Sequence, residues 1–522
     1  MRRTHRVSRR RDPPCTFVVV AVLSGCASWS ADIAPPRADR PWVPVTTAAG
    51  EILPGWAARP AAERRGGFVL PANAALAAVP DTVTAVEPDR AHTLAELIDV
   101  AQSNNPLTRV AWDTARNAAL AVGIARSTYL PRLTAAVVGG YRQSSGSSTI
   151  DLGPATLNAG DTSSATGSVS ALGLQWLIFD FGERAALVEA AGHVAIAANV
   201  GFTAAHQQLI YDVTLAYYTH ATAILRVTLL EQSLANARAV QTAAEMRRRQ
   251  GQGTVTDVAQ ARQATAQAEL RLVQAQGRAQ DTHQALVTAV GLSPMTRLRI
   301  ADVSGRPLSP AAAAVTERMI NEAVSRRPEV LAAYANAKAA EAGVDAARAE
   351  FLPKIFAAGN VAYIDGRLGL SSLPAVGDQG TSTLNLSGRQ FGTVVIAGIA
   401  VPIYDGGVRR ALLQQAQTRA DSAQAVLRRT QQDSVRQIVS ADNALRTGLA
   451  AHAAAVALEA AAETAFDATL AAYRNGVGSV TAATLAQNGL LDARLGRADT
   501  YSAVQIAAAT LAFAMGSLGG AP

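Results

Sequence analysis

After the heptapeptide Trp176-Leu177-Ile178-Phe179-Asp180-Phe181-Gly182 the chain runs 68 residues without a proline, until Gly251 and Gly253 interrupt it. One uninterrupted helix of that length rises about 100 Å at 1.5 Å per residue, several times the length of an ordinary globular helix. A rod this long has to share its surface with partner helices. Leu209, Val213, Ala216, His220, Ala223, Val227, Leu230, Leu234 and Ala237 recur at alternating steps of four and three, which is a heptad seam. The abundant alanine allows close approach on both flanks. A ring of helices needs that, whereas a two-stranded coiled coil needs a single seam.

The rod occurs twice. Asp180, Gly182, Gly251, Gly253, Val255 and Gly291 recur as Asp405, Gly407, Gly476, Gly478, Val480 and Gly516 at an offset of 225. Upstream, Pro106 and the pair Leu130-Pro131 recur as Pro328 and Leu352-Pro353 at an offset of 222, so three residues were gained between Pro353 and Asp405. A repeat this large is half a protein, and the chain reads as a duplication with internal pseudo-two-fold symmetry. The halves are residues 93–302 and 303–522.

Formal charge is +7 over 522 residues, which raises nucleic acid as a partner. Arg2, Arg3, Arg6, Arg9, Arg10 and Arg11 against Asp12 supply +5 of it, which leaves +2 for the rest and removes that reading. The arginines precede a short apolar run, residues 17–23, and then Leu23-Ser24-Gly25-Cys26. A basic segment followed by an apolar stretch too short to span a bilayer is an export signal, placed at residues 1–25. The tetrapeptide is similar to a bacterial lipobox, which would make Cys26 the acylated first residue of the mature chain. Cleavage near Ala27 is the alternative. With Cys15 in the leader, the mature chain has one cysteine and no internal disulfide.

Residues 26–92 are proline-rich and aperiodic, and read either as an extended arm lying on the body or as a tether. Thr93 and Glu96 have capping-box spacing and predict a helix start. A second helix follows Pro106, carries Leu107, Ala111, Ala115, Ala118, Val122 and Ala125 on one face, and stops near Leu130-Pro131. Short alternating strands are expected at 133–141 and 168–178, with a long polar loop between them. Leu172, Leu174, Trp176 and Ile178 share one face; Ala171, Gly173 and Gln175 share the other. The repeat partner is Ala397, Ile399, Val401 and Ile403, within strands spanning about 356–403. One face suits lipid and the other water; a half-buried strand of a soluble sandwich is the competing reading, and helices of this length do not fit that fold.

Two strands per repeat make four per chain, too few to close a membrane barrel, and open strand edges in lipid cost several kcal/mol per unpaired group. Several chains must therefore contribute; a trimer supplies twelve strands. The rods then turn at hairpins, about 250–257 and 475–482, into return helices that end at Gly291 and Met515. Residues 293–315 are an irregular linker.

Catalytic patterns fail on context. Seven scattered histidines form no metal-binding motif, and His220 on the seam reads as a packed or solvated side chain. Gly251-Gln252-Gly253 and Gly476-Val477-Gly478 lie between helices and follow no strand, so they are not nucleotide loops. Neither a nucleophile elbow nor a Walker A sequence occurs. No cofactor and no enzyme activity are implied. No uninterrupted apolar run reaches about 18 residues, which argues against a helical transmembrane transporter.

TLAELIDVAQSNNP, RSTYLPRL, LQWLIFDFG with its counterpart VPIYDGG, and QGQGTVTDV with its counterpart YRNGVGSVT together resemble the TolC family of outer-membrane efflux channels, over residues 93–517. The lipobox points to the lipid-anchored branch. The resemblance implies a mainly α fold with a small membrane β part: a homotrimer with a 12-stranded β-barrel in the outer membrane that continues into a periplasmic α-helical barrel. It implies a passive exit duct for small molecules, opened by a periplasmic adaptor and an inner-membrane pump. Gly251, Gln252, Gly476 and Val477 then sit at the adaptor-docking tips, and Asp257 and Tyr473 belong to the gate. Where an aspartate often lies in the second repeat this chain has Ala482, and a basic residue seen in some members falls on Gly478, which leaves packing to hold that tip. A protein-secretion channel of the type I kind and a lipid-anchored coiled-coil scaffold are the other readings.

Overall fold

The computed structural model describes residues 46–48, 51–53, 70, 72–76, 87, 90–152, 155–303, 308, 315–370, 384–387 and 389–518. Cys26 and the leader lie outside these. Residues up to Val83 form one unit, with a bridge between Thr46 and Ile52 and a 3-10 turn at Ala74–Leu76. The rest of the chain, from Thr84, is the second.

That second unit is built twice from one plan. Strand β1 (Ala91–His92) leads into helix α1 (Leu94–Asn104), whose capping box is formed by Thr93 and Glu96. Helix α2 (Pro106–Ser127) starts at Asn105, which accepts from the Leu107 amide, with Pro106 in the first turn where its missing N–H costs nothing. The buried face of α2 differs from expectation at its start. Thr108 is buried while Leu107 is 64% exposed, because the Thr108 hydroxyl bonds the Asn105 carbonyl and turns that side inward. Then come β2 (Arg132–Leu152), β3 (Ala155–Phe179), the rod α3 (Glu183–Arg249) and its return α4 (Val255–Val290). Strand β4 (Arg299–Ile300), inside the linker, pairs parallel with β1. The second pass gives α5 (Glu317–Arg326), α6 (Pro328–Ala349), β5 (Lys354–Leu370), β6 (Leu384–Ser387), β7 (Gln390–Ala400), the rod α7 (Val408–Arg474) and the return α8 (Val480–Ala514).

Each rod has 67 residues. The seam read from the sequence is where α3 is buried: Leu209, Val213, His220, Ala223, Leu230, Leu234 and Ala237 are all nearly inaccessible. Each rod also contains a stretch long and apolar enough on average to cross a bilayer, by length and composition only; alanine raises the average without forming a continuous apolar run, so the sequence reading stands. Only 6% and 11% of those stretches is buried within the chain, so they present apolar surface that further helices can cover.

The sheet has the order β2-β3-β5-β7, all antiparallel, with β6 pairing the far end of β5. Its apolar face is continuous across strands: Leu133 and Val137 on β2, Leu172 and Leu174 on β3, and Val395 and Ile399 on β7 are exposed. Aromatic residues bound it. Tyr363 is paired with Phe391 at one end and Trp176 stands at the other, where its indole N–H donates to the Tyr129 carbonyl. Trp176 and Ser170, the partner of Tyr363, are six residues apart on β3, about 20 Å at 3.4 Å per residue, which suits an apolar band between aromatic girdles. Ala171, Gly173, Gln175 and Asn360 take the other face; Val394 and Ile396 of β7 break that pattern.

Two expectations are corrected here. The polar stretch between the first two strands is no loop: β2 and β3 stay paired up to Leu152 opposite Ala155. Serine and glycine carry no apolar alternation, yet the ladder needs only backbone groups. The last strand ends at Ala400 and does not reach Val401 or Ile403, because Pro402 has no N–H to continue the ladder.

The joint from strand to rod explains the repeated aspartate and glycine. Asp180 accepts from the amides of Gly182 and Arg184 and from the Arg184 guanidinium at 2.7 Å, so it caps α3 from outside. Gly182 has φ 101° and Gly407 φ 90°, a region that favours glycine. Phe181 is the one non-glycine residue with positive φ among the described residues; Gly406 stands in its place in the second repeat. Arg184 also donates to the carbonyls of Thr128, Leu177 and Ile178 and lies over the Tyr129 ring. The Arg409–Asp405 pair repeats the geometry, again at 2.7 Å, with more exposure. Arg184→Ala is therefore expected to cost about 3–5 kcal/mol, as loss of one partner of a buried pair does, and Arg409→Ala about 1 kcal/mol. Urea unfolding of the detergent-solubilised protein measures the difference; equal costs would remove the special role of Arg184.

His220 is buried on the seam, with Nδ1 3.1 Å from Thr282 Oγ1 and its ring 5.5 Å from that of His283. Burial first, then the neighbouring His283, pushes it down to about 4. A base whose folded pKa lies below its unfolded one favours unfolding as pH falls from about 6.5 towards 4. His220→Leu is expected to flatten the loss of urea resistance over that window; an unchanged slope would show that His220 does not titrate there.

Candidate functional site: the two hairpin tips

The far ends of the rods are built by helix-terminus chemistry. α3 ends at Arg249; Gly251 follows with φ 73°, and the amides of Gly251 and Gln252 donate back to the carbonyls of Arg248 and Arg247. Thr254 then caps α4: its hydroxyl accepts from the Asp257 amide at 3.1 Å, and the Asp257 carboxylate accepts from the Thr254 amide at 2.9 Å. The second tip repeats this without the reciprocal half. Gly476 has φ 85°, Val477 donates to the Ala472 carbonyl, and Ser479 accepts from the Ala482 amide, but Ala482 has no side chain to answer with.

The last glycine of each tip has a steric cause. A Cβ on Gly478 would lie 2.9 Å from the Tyr473 nitrogen, and one on Gly253 3.0 Å from the Arg248 nitrogen, both backbone atoms. The absence of a basic side chain at position 478 thus follows from how closely this turn folds on itself.

The two tips share one small core, in which Val240, Ala244, Val258 and Ala261 of the first repeat meet Tyr473, Val480 and Ala483 of the second. Arg247 crosses between them. Its Nη1 donates to the Tyr473 carbonyl at 3.0 Å, and its guanidinium carbon lies 5.0 Å from the centre of the Tyr473 ring. Thr481 Oγ1 donates to Gln260 Oε1 at 3.3 Å. Burial pushes the Tyr473 phenol up. The Thr254 amide and hydroxyl, and then Arg247, hold the Asp257 carboxyl below its usual range. Asp257 and Tyr473 lie in one electrostatic cluster, with Arg247 bonded to Tyr473 and within the field of Asp257. The run Arg247-Arg248-Arg249 in the last turn of the rod was the available sequence signal. Gly251, Gln252, Gly476 and Val477 are exposed at the outer end, Val477 at 84%.

Among the described residues no three histidine, cysteine, aspartate or glutamate side chains cluster as metal ligands would.

A membrane-suited sheet fused to duplicated rods whose tips pack together fits a transport protein of the outer envelope. The family model described as outer membrane efflux protein matches residues 97–292 and 319–517, one segment per repeat, and the chain belongs to this family. It is 27% identical over 388 residues to outer membrane protein OprJ of Pseudomonas aeruginosa, covering 74% of this chain and 75% of OprJ. It is 28% identical over 432 residues to protein CyaE of Bordetella pertussis, covering 82% and 84%. The outer-membrane channel OprN shares its fold, with TM-score 0.67 at 20% identity over 81% of this chain and 90% of that one. The protein is thus an efflux duct of the TolC kind in the bacterial outer membrane, extending into the periplasm, and not an enzyme.

Gly478→Ala is expected to disrupt the second tip, since its contacts are backbone, at about 1–3 kcal/mol. Gly489→Ala in α8, which meets nothing within 4 Å, is expected to gain about 1 kcal/mol of helix stability. Hydrogen exchange reads the first across residues 472–482 and the second across 485–493; protection at the tip unchanged by Gly478→Ala would refute the steric account.

Proposed function

We propose that three copies close one 12-stranded barrel, whose helices continue it as a tunnel, and that the tips form a gate which a periplasmic adaptor and an inner-membrane pump open. Small molecules then leave through a water-filled lumen that abolishes the bilayer barrier, with energy supplied by the pump. The carrying observation is the four-stranded sheet: it has an apolar outer face and two edges, and lipid offers those edges no hydrogen bonds. Gly251, Gln252, Gly476 and Val477 are the adaptor-docking surface, which their exposure favours. Cys26 carries the lipid that holds residues 26–92 at the membrane.

In this reading the resting gate is held within each copy by Arg247. The guanidinium both bonds the Tyr473 carbonyl and covers its ring, so losing it frees the second hairpin from the first. Asp257 acts at one remove, by capping α4 and by its field on Arg247 and Tyr473.

Single-channel recording of the purified protein in planar bilayers tests this. Arg247→Ala is expected to raise resting conductance several-fold, and Asp257→Ala to raise it less. Conductance unchanged in Arg247→Ala would contradict the gate. Migration of the wild type as a monomer on native gels, with no conductance, would contradict the channel assembly itself.

A further inference from the structure

The duplication holds at the level of single rungs of the sheet. In the first hairpin Arg132 faces Gln175 and Leu133 faces Leu174. Shifting the first member by 222 and the second by 225 gives Lys354 facing Ala400 and Ile355 facing Ile399, which are the rungs of the second hairpin. β5 is therefore the image of β2, and β7 the image of β3, residue by residue. β3 has a second neighbour: it pairs β5, with Leu172 facing Val361 and Gln175 facing Ala358. β7, the image of β3, has no strand on its corresponding edge among the described residues, and neither has β2.

Applying the same operation once more supplies the missing neighbour. We propose that β7 of one copy pairs antiparallel with β2 of the next in a single register, with Ala397 facing Gly139 and Ala400 facing Ala136. These are the images of Leu172 facing Val361 and Gln175 facing Ala358. The proposal rests on the multi-chain barrel described above and adds the register of its seams. Register matters because a slip by one residue turns the apolar face of a whole strand into the lumen.

The helices support the same operation independently. Within one chain α2 packs on α3, α3 on α6 and α6 on α7, while α2 and α7 share no packed interface. The image of the α3–α6 contact is α7 of one copy on α2 of the next. The surfaces near this seam are apolar and uncovered: Leu120 and Ile124 on α2 are 59% and 70% exposed, and α7 exposes Val435 and Val439. The equivalents of those two α2 residues on α6, at the same offset, are Ala342 and Ala346. Charges follow suit. Glu189 and His193 of α3 lie in the fields of Lys338 and Glu341 of α6, whereas their images across the seam are Gln414 and Thr418 facing Arg116 and Ala119. Opposite charges thus face one another across α3 and α6 within the copy, and no such pair recurs at the image positions across the seam.

Cysteine pairs test the register in the full-length protein in outer membranes. After oxidation, Ala397→Cys with Gly139→Cys and Ala400→Cys with Ala136→Cys are expected to give covalent trimers on non-reducing denaturing gels. Their yield should be about tenfold that of the slipped pair Ala397→Cys with Val137→Cys, because a slip of two residues parts the side chains to about 7 Å, beyond disulfide reach. The wild type controls for Cys26. Native-gel trimers that cross-link best through the slipped pair would overturn the register while leaving the trimer intact. Native-gel monomers would overturn the assembly beneath it. Thr418→Cys with Ala119→Cys, outside the membrane, is a second variant for a short bis-maleimide; intact trimers that it fails to link would overturn the helical half of the operation.

Discussion

Backbone hydrogen bonding in a solvent that offers none is the constraint on which the structure depends. Each strand of the sheet carries N–H and C=O groups along both edges, and hydrocarbon satisfies neither. Within one chain the inner edges are paired, from β2 through β3 and β5 to β7, and the two outer edges are left over. A chain with four strands and an apolar outer face is thus a fraction of a closed object. The rods follow from the same incompleteness. Few residues of their apolar stretches are fully buried within the single chain, and a helix with apolar surface on two flanks is finished only by neighbours on both.

Rigidity is then required where sheet becomes rod, because twist at that joint would misalign strands and helices together. One aspartate at each joint caps the rod and pairs with an arginine one turn in. In the first repeat that arginine also gathers three carbonyls from two neighbouring segments. The tips are the opposite case. They are short, glycine-bearing turns whose common core is a few alanines, valines and one tyrosine, bridged by one guanidinium. The joint thus has many buried bonds and the tip few, and the proposed gate rests on that contrast.

The architecture was legible because its signals are long or repeated. Sixty-odd proline-free residues, a capping box at Thr93 and glycines recurring at one fixed offset each point to one structure, and each is present in the structure. What escaped was short-range or compositional. Serine and glycine between the first two strands read as loop, although pairing through backbone groups continues there. Pro402 ended a strand whose apolar alternation runs on through Ile403. At the tip, Asp257 and Tyr473 stood out, but Arg247 is one of three consecutive arginines, and only the three-dimensional path of α3 shows which of them faces Tyr473. Arg184 and Arg409 share the offset of 225 and could have been found from it.

Electron microscopy of the detergent-purified protein in side view tests the central claim most directly. The account requires three-fold particles shaped as a hollow cylinder at least about 100 Å long, the rise of a 67-residue rod. Short, solid or single-copy particles would contradict it, because neither the open sheet edges nor the uncovered rods would then have partners.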